Sequence, residues 1–237
     1  MRTASLVATA VCLTLLSALP SAAQTPATPG SLASQYAQFM QARDYAAALA
    51  AAQQLVALNP TAENLRLLAN AQLYSGASAD ALATYDRAIA QASKEKPPEG
   101  QDLSAWKETM ANTWTGKGNA LLKLHRNTDA IAAYNQAATF AANPALAYYN
   151  ICAVLYNTGD IQNTPAACRK ALQADPSKAD AWFILGSVLF ADAPLDATKS
   201  KPVISAEARQ ALEKYLELAP NGPHAADTKA MLEMAAK

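Results

Sequence analysis

One arrangement recurs along this chain and limits what it can fold into. A helix-forming run and a tight turn lead into a small-residue step, and a second helix-forming run ends at a proline. The small-residue steps are Tyr45-Ala46-Ala47-Ala48-Leu49, Ser78-Ala79-Asp80-Ala81-Leu82, Asn127-Thr128-Asp129-Ala130-Ile131 and Ala206-Glu207-Ala208-Arg209. Ala48 and Ala81 stand 33 residues apart, whereas Ala81 and Ala130 stand 49 apart, so an insertion separates the second and third units. Closing prolines stand at Pro60, Pro144, Pro176 and Pro220, mostly behind Asn or Asp. A single helical hairpin of this size cannot bury its own apolar face, so neighbours must stack and share one core.

Composition supports helices and little else. Alanine, the best helix former, supplies 58 of the 237 residues, and β-branched residues are few, which argues against an all-β fold. Basic and acidic residues balance at 19 each, so the chain carries no electrostatic footprint for nucleic acid. The alanines at 48, 81, 130 and 208, with Gly118 and Gly186, mark the places where paired helices close on each other. Trp114, Tyr134, Trp182 and Leu212 are expected to fill the space between layers.

The opening of each unit then carries a family likeness. Trp182-Phe183-Ile184-Leu185-Gly186 gives an aromatic followed by Leu-Gly, and Trp114-Thr115-Gly116-Lys117-Gly118 repeats it with Lys117 in the leucine place. Tyr148-Tyr149-Asn150-Ile151-Cys152 has Cys152 in the glycine place, and Leu65-Arg66-Leu67-Leu68-Ala69 opens the second unit, with Gly76 at its turn. The first unit carries only Leu32, Tyr36 and Phe39. In these residues the chain resembles the tetratricopeptide repeat family. The resemblance implies an all-α fold, a right-handed superhelical solenoid of antiparallel helix hairpins. It spans residues 31–220 in about five hairpins, with longer loops near 94–104 and 191–205 and a C-terminal capping helix over 221–237. A capping pattern at Ser104 predicts a helix from there to about Lys123. Thr164-Pro165 reads as a cap and first helical residue, which predicts a shortened second helix in the fourth unit. The last helix is expected to present Ala226, Ala230, Leu232 and Met234.

The first segment reads as an address. Met1 and Arg2 precede an uncharged apolar run from Leu6 to Leu19, then Pro20 and Ser21-Ala22-Ala23. That order is expected of a cleaved secretory signal over residues 1–23, and the run is shorter than the ~20 residues a spanning helix needs. Residues 24–30 follow as a flexible linker. The expected location is periplasmic or extracellular, with no membrane insertion after cleavage. Cys12 leaves with the signal, and Cys152 and Cys168 remain as an even pair in an oxidising compartment. A structural disulfide, two buried free thiols and a redox pair are the open readings.

The motifs of chemistry do not assemble. With His125 and His224 the only histidines, metal ligation has little to draw on, and both read as structural, so neither metal nor cofactor is expected. Gly116-Lys117-Gly118 lacks the Ser or Thr that a phosphate loop places after its lysine. No hydrolase signature is present, and the chain reads as a non-enzyme.

The family resemblance implies a binding surface instead, because the first helix of each unit lines a concave groove that takes a peptide or partner helix. Carried over unit by unit, it selects Arg66, Asn70, Leu73 and Tyr74, then Thr115, Asn119, Leu122 and Lys123. It continues with Tyr149, Ala153, Tyr156 and Asn157, and ends with Asp180, Phe183, Ser187 and Phe190. Asn119 and Asn150 stand where some members grip a terminal carboxylate, but Asp180 and Ile184 stand where basic residues are needed, so that clamp is incomplete. The aromatic residues either line the groove or pack its inner wall. The implied function is a protein-interaction adaptor of the cell envelope, holding a protein or peptide partner. The alternative is a self-associating structural or assembly factor at the cell wall or outer membrane, a homo-oligomer.

Overall fold

Each hairpin in this chain is made by a turn that reverses the backbone within a few residues. The computed structural model describes residues 28–196 and 201–236. The expected signal, residues 24–27 of the linker, and residues 197–200 of the second long loop lie outside them.

Five helix pairs stack in chain order: α1 (Pro29–Gln41) with α2 (Tyr45–Leu58), α3 (Ala62–Tyr74) with α4 (Ser78–Lys94), and α5 (Ser104–Lys123) with α6 (Asn127–Phe140). They continue with α7 (Ala145–Asn157) and α8 (Thr164–Ala174), then α9 (Ala179–Ala191) and α10 (Ala206–Leu218), and α11 (Ala225–Ala236) ends the array. Every helix packs against its neighbours in sequence, and α3 with α5, α7 with α9, and α9 with α11 also touch. The result is an all-α solenoid.

The turn after each of the first four leading helices is the same device. Arg43, Gly76, His125 and Gly159 take positive φ of 59°, 92°, 57° and 74°. At Gly76 its own N–H donates to the Leu73 carbonyl, and the next N–H, of Ala77, donates to Gln72. Two otherwise orphaned carbonyls are thereby satisfied and the chain is aimed back along the helix. His125, which the sequence reads as structural, is thus the turn residue itself. Capping side chains set the helix starts: Asp44, Thr61 and Ser205 accept from the backbone N–H groups of Ala47, Asn64 and Ala208.

Local differences from expectation have local causes. Thr28 caps α1, so its helix starts at Pro29, inside the expected linker. The helix begins at Ser104 as expected, but its N-cap is Leu103, which has no capping side chain; Asp102 one residue earlier accepts from the Ser104 N–H and hydroxyl at 2.9 and 2.6 Å. α8 is the shortest helix among the described residues, with Pro165 in its first turn. Thr164 is buried and its hydroxyl donates to the Asp160 carbonyl, 2.6 Å away. Between α9 and α10, Leu195–Asp196 (β1) and Lys201–Pro202 (β2) pair antiparallel. That hairpin is the one strand pairing among the described residues.

The cores of the hairpins obey a size rule. Ala48, Ala81, Ala130 and Ala208 are fully buried near the starts of α2, α4, α6 and α10. One turn further in, a large side chain faces a small one. A Cβ on Gly118 would fall 2.5 Å from the Tyr134 ring, and one on Gly186 would fall 2.7 Å from Leu212. In the second hairpin Tyr85 packs with Ala69. In the first the order is reversed, with Tyr36 in the leading helix clustered with Ala52. Tyr85 also reaches across to the next unit, where a Cβ on Gly116 would fall 2.5 Å from its ring. Trp114 and Trp182, expected as interlayer filling, are only partly buried, whereas Tyr85, Tyr134, Leu212 and Tyr215 are fully enclosed.

The fourth hairpin satisfies the rule with chemistry. Cys152 stands 34 residues beyond Gly118, and Cys168 stands 34 beyond Tyr134, so the cysteines occupy that crossing. Their Cα atoms are 5.0 Å apart and their sulfurs are at bonding distance.

The end of the array differs in phase from the expected amphipathic helix. Ala225 and Thr228 are the buried residues of α11, with Met231 packed beside the core, while Ala226, Ala230 and Met234 are exposed. The Thr228 hydroxyl donates to the His224 carbonyl at 2.7 Å, so a polar side chain goes inside at little cost.

Two outcomes are expected. Gly118→Ala should lower stability by about 1–2 kcal/mol in urea denaturation, because overpacking against Tyr134 outweighs the helix-propensity gain. Gly30→Ala, with open space around it, should be neutral or stabilising. Reductant, or Cys168→Ser, should lower the melting temperature by the equivalent of about 3 kcal/mol, given the sequence separation of 16 between the cysteines. An unchanged melting temperature in reductant would show that the crossing holds without the bond.

Candidate binding groove

The leading helices present the selected groove residues, and the structure sorts them into three groups. The first group is already engaged within the fold. The Arg66 Nε–H donates to the Glu63 carboxylate one turn away, at 3.0 Å. Thr115 donates its hydroxyl to the Ala111 carbonyl at 2.8 Å. Asn70 Oδ1 accepts from the Tyr85 hydroxyl at 2.5 Å, and Asn119 Oδ1 accepts from Tyr134 at 2.7 Å. The two bonds are the same contact one unit apart, each joining a second-helix tyrosine to a leading-helix asparagine. Both asparagines therefore have their carbonyl oxygens committed. The Asn70 side chain also lies beside the Tyr36 hydroxyl within the fold, so the amide N–H left for a partner is that of Asn119, a donor suited to backbone carbonyls.

A second group meets in a cleft of about 860 Å³ at the C-terminal ends of α3 and α5. Tyr74, Asn119 and Lys123 line it with Leu73, Leu122 and His125. Tyr74 is 57% exposed and stacks on Tyr45, with ring centroids 5.5 Å apart. The cationic side chain on this wall is Lys123, and it makes no ion pair among the described residues.

The third group forms a separate cleft of about 440 Å³, walled by α7, α9 and α11. Tyr149, Tyr156 and Phe183 line it, with Asn157 and Asp180 from the same helices. Phe183 serves packing as much as lining: it is 6% exposed and stacks on His224 at 3.9 Å. Burial pushes the Tyr149 phenol above its ordinary pKa, and the Asp180 carboxylate beside it adds to the shift. Phe190 is partly buried and lines neither cleft.

His224 and Asp227 complete this wall, and reading by repeats missed both. The available signal was register: α11 sits where the leading helix of another unit would. Ala225 follows Ala181 by 44 residues, as Leu212 follows Cys168 by 44, so Asp227 takes the place that Phe183 has in α9. Gly116-Lys117-Gly118 lies within α5, its glycines pressed against tyrosines and Lys117 paired with Asp86 at 2.6 Å. No group of three or more His, Cys, Asp or Glu residues is placed to hold a metal among the described residues. No helix among them is long and apolar enough to cross a membrane.

Stacked hairpins with a lined face of leading helices define a helical-repeat interaction module, a fold that is in general non-catalytic. A tetratricopeptide repeat family model matches residues 38–96 and 115–179, more than half of the chain, and the chain belongs to that family. Its fold is similar to that of YrrB, described as a TPR protein with an unusual peptide-binding site. The two are 16% identical over 86% of this chain and 92% of that one, with a TM-score of 0.57. TTC0263, a thermophilic TPR protein from Thermus thermophilus, is 18% identical over 87% of this chain and 100% of that one, with a TM-score of 0.55. MamA 41-end from Desulfovibrio magneticus RS-1 is 16% identical over 82% and 97%, with a TM-score of 0.58. No curated protein matches the chain in sequence.

The tyrosine–asparagine contacts carry a pH expectation. Burial raises the pKa of Tyr85 and Tyr134 far above the ordinary value of about 10. The unfolded chain loses those protons first as pH rises, so the stability they lend is complete below pH ~10 and falls progressively above it. Urea denaturation from pH 8 to 11 should show that fall, and Tyr134→Phe should flatten it. At neutral pH the same substitution should cost about 1 kcal/mol.

Proposed function

We propose that this protein is an exported scaffold of the cell envelope that holds an extended segment of a partner protein along its leading helices. The observation that supports this most directly is the pair of clefts on that face. They gather eleven of the sixteen selected side chains, among them Tyr74, Asn119 and Lys123 in one and Tyr149, Tyr156 and Phe183 in the other. The exposed aromatic rings supply apolar area at low conformational cost, and the Asn119 amide supplies a donor for a backbone. Export rests on the leading segment, and a bonded Cys152–Cys168 pair is consistent with an oxidising compartment.

The test is capture of partner protein from envelope extract on the immobilised full chain, beside a Tyr74→Ala/Lys123→Ala variant of equal melting temperature. The double variant should retain less than about a tenth of the partner. Equal retention by both would sink the groove reading.

Self-association is a second reading with its own observation. Leu195 of β1 and Val203 beside β2 are 68% and 56% exposed, and Met234 of α11, the helix that β2 touches, is 50% exposed. Light scattering after size exclusion should give a dimer mass that Leu195→Asp/Val203→Asp reduces to a monomer.

A further inference from the structure

We propose that the cleft between α7, α9 and α11 is a pocket for one cationic side chain, an arginine or lysine, of the segment the groove holds. The inference rests on the groove reading above and gives it a chemical specificity.

The cleft offers about 440 Å³, room for one long side chain. Its charged lining is acidic: Asp180 enters from α9 and Asp227 from the first turn of α11, and both are exposed. Neither carboxylate has a lysine or arginine partner among the described residues, although other acids of the fold do, such as Glu207 with Arg169 at 2.7 Å. The remaining walls are aromatic. Tyr156 is 37% exposed at the rim, and Tyr149 lines the cleft partly buried beside Asp180. Carboxylates beside aromatic faces are the surroundings that a guanidinium or ammonium group prefers, through charge-assisted hydrogen bonds and cation–π attraction.

The same features turn away a carboxylate. An anionic group here would face Asp180 and Asp227 with no lysine or arginine in the lining. The cleft is also open to solvent along the groove, so it cannot enclose a small free molecule as a closed ligand pocket does. A side chain tethered to a segment already held along the groove gains from local concentration and needs less enclosure. The occupant is therefore a polypeptide's basic residue rather than a free organic cation.

Blocked tripeptides test this on the isotope-labelled full chain by NMR: Ac-Ala-Arg-Ala-NH2, its neutral citrulline counterpart, and guanidinium ion alone. The arginine peptide should shift the amides of Tyr156, Asn157 and Asp227 and bind at least about tenfold more tightly than the citrulline peptide. Asp227→Asn should erase that difference with an unchanged melting temperature. If that variant fails to fold, Tyr156→Ala, at an exposed ring, should weaken the arginine peptide several-fold. Equal binding of the arginine and citrulline peptides overturns the inference, as does guanidinium binding as tightly as the arginine peptide. Capture of partner through the Tyr74 and Lys123 cleft is read separately, so the groove reading survives or falls on its own measurement.

Discussion

The whole array depends on one steric condition where the two helices of a hairpin cross: four times one small side chain faces one large one, and in the fourth hairpin a bonded pair of cysteines fills the same place. Close-packed interiors tolerate neither a void nor an extra methylene at such a point. Gly118 against Tyr134 and Gly186 against Leu212 meet the condition with the small residue on the leading helix. Tyr36 and Ala52 meet it the other way round. The volume at the crossing is held while its side of origin is free, which explains why the first unit fits the repeat pattern least well and still packs.

The same tyrosines connect packing to the groove. Tyr85 and Tyr134 fill the crossings with their rings and hold Asn70 and Asn119 with their hydroxyls. The asparagine side chains are thus oriented from behind by the core, and in the proposed groove the Asn119 amide is set before any partner arrives. Preorganisation of this kind lowers the ordering cost of association. The size rule is in this sense also a rule about the groove.

How far these features were legible depends on whether they repeat. The small alanines, the Gly186–Leu212 crossing and the short α8 follow from spacing and from the rigidity of Pro165. The Asn119 and Lys123 positions could be placed because their helix has counterparts before and after it. α11 has one helix and no second, so its phase was judged from polarity, and polarity misleads where Thr228 buries a hydroxyl bonded to its own backbone. His224 and Asp227 were lost with that phase. The small strand pair is equally outside the repeat: Leu195 and Asp196 carry no alternation long enough to mark a strand. Phe190 was placed by register alone, and register says nothing of which way a partly buried ring finally turns.

The place of α11 in the register has a consequence for what its outer face offers. A solenoid has no intrinsic last unit, and any leading helix is a template for the next second helix. Here the would-be seat for that helix shows Ala226, Ala230 and Met234 to solvent. α11 thus keeps the position of a leading helix, packing on α9 and α10 while its Asp227 lines the cleft that it shares with α7 and α9. One helix covers the core of the fifth hairpin and walls that cleft, so any change in its packing reaches both.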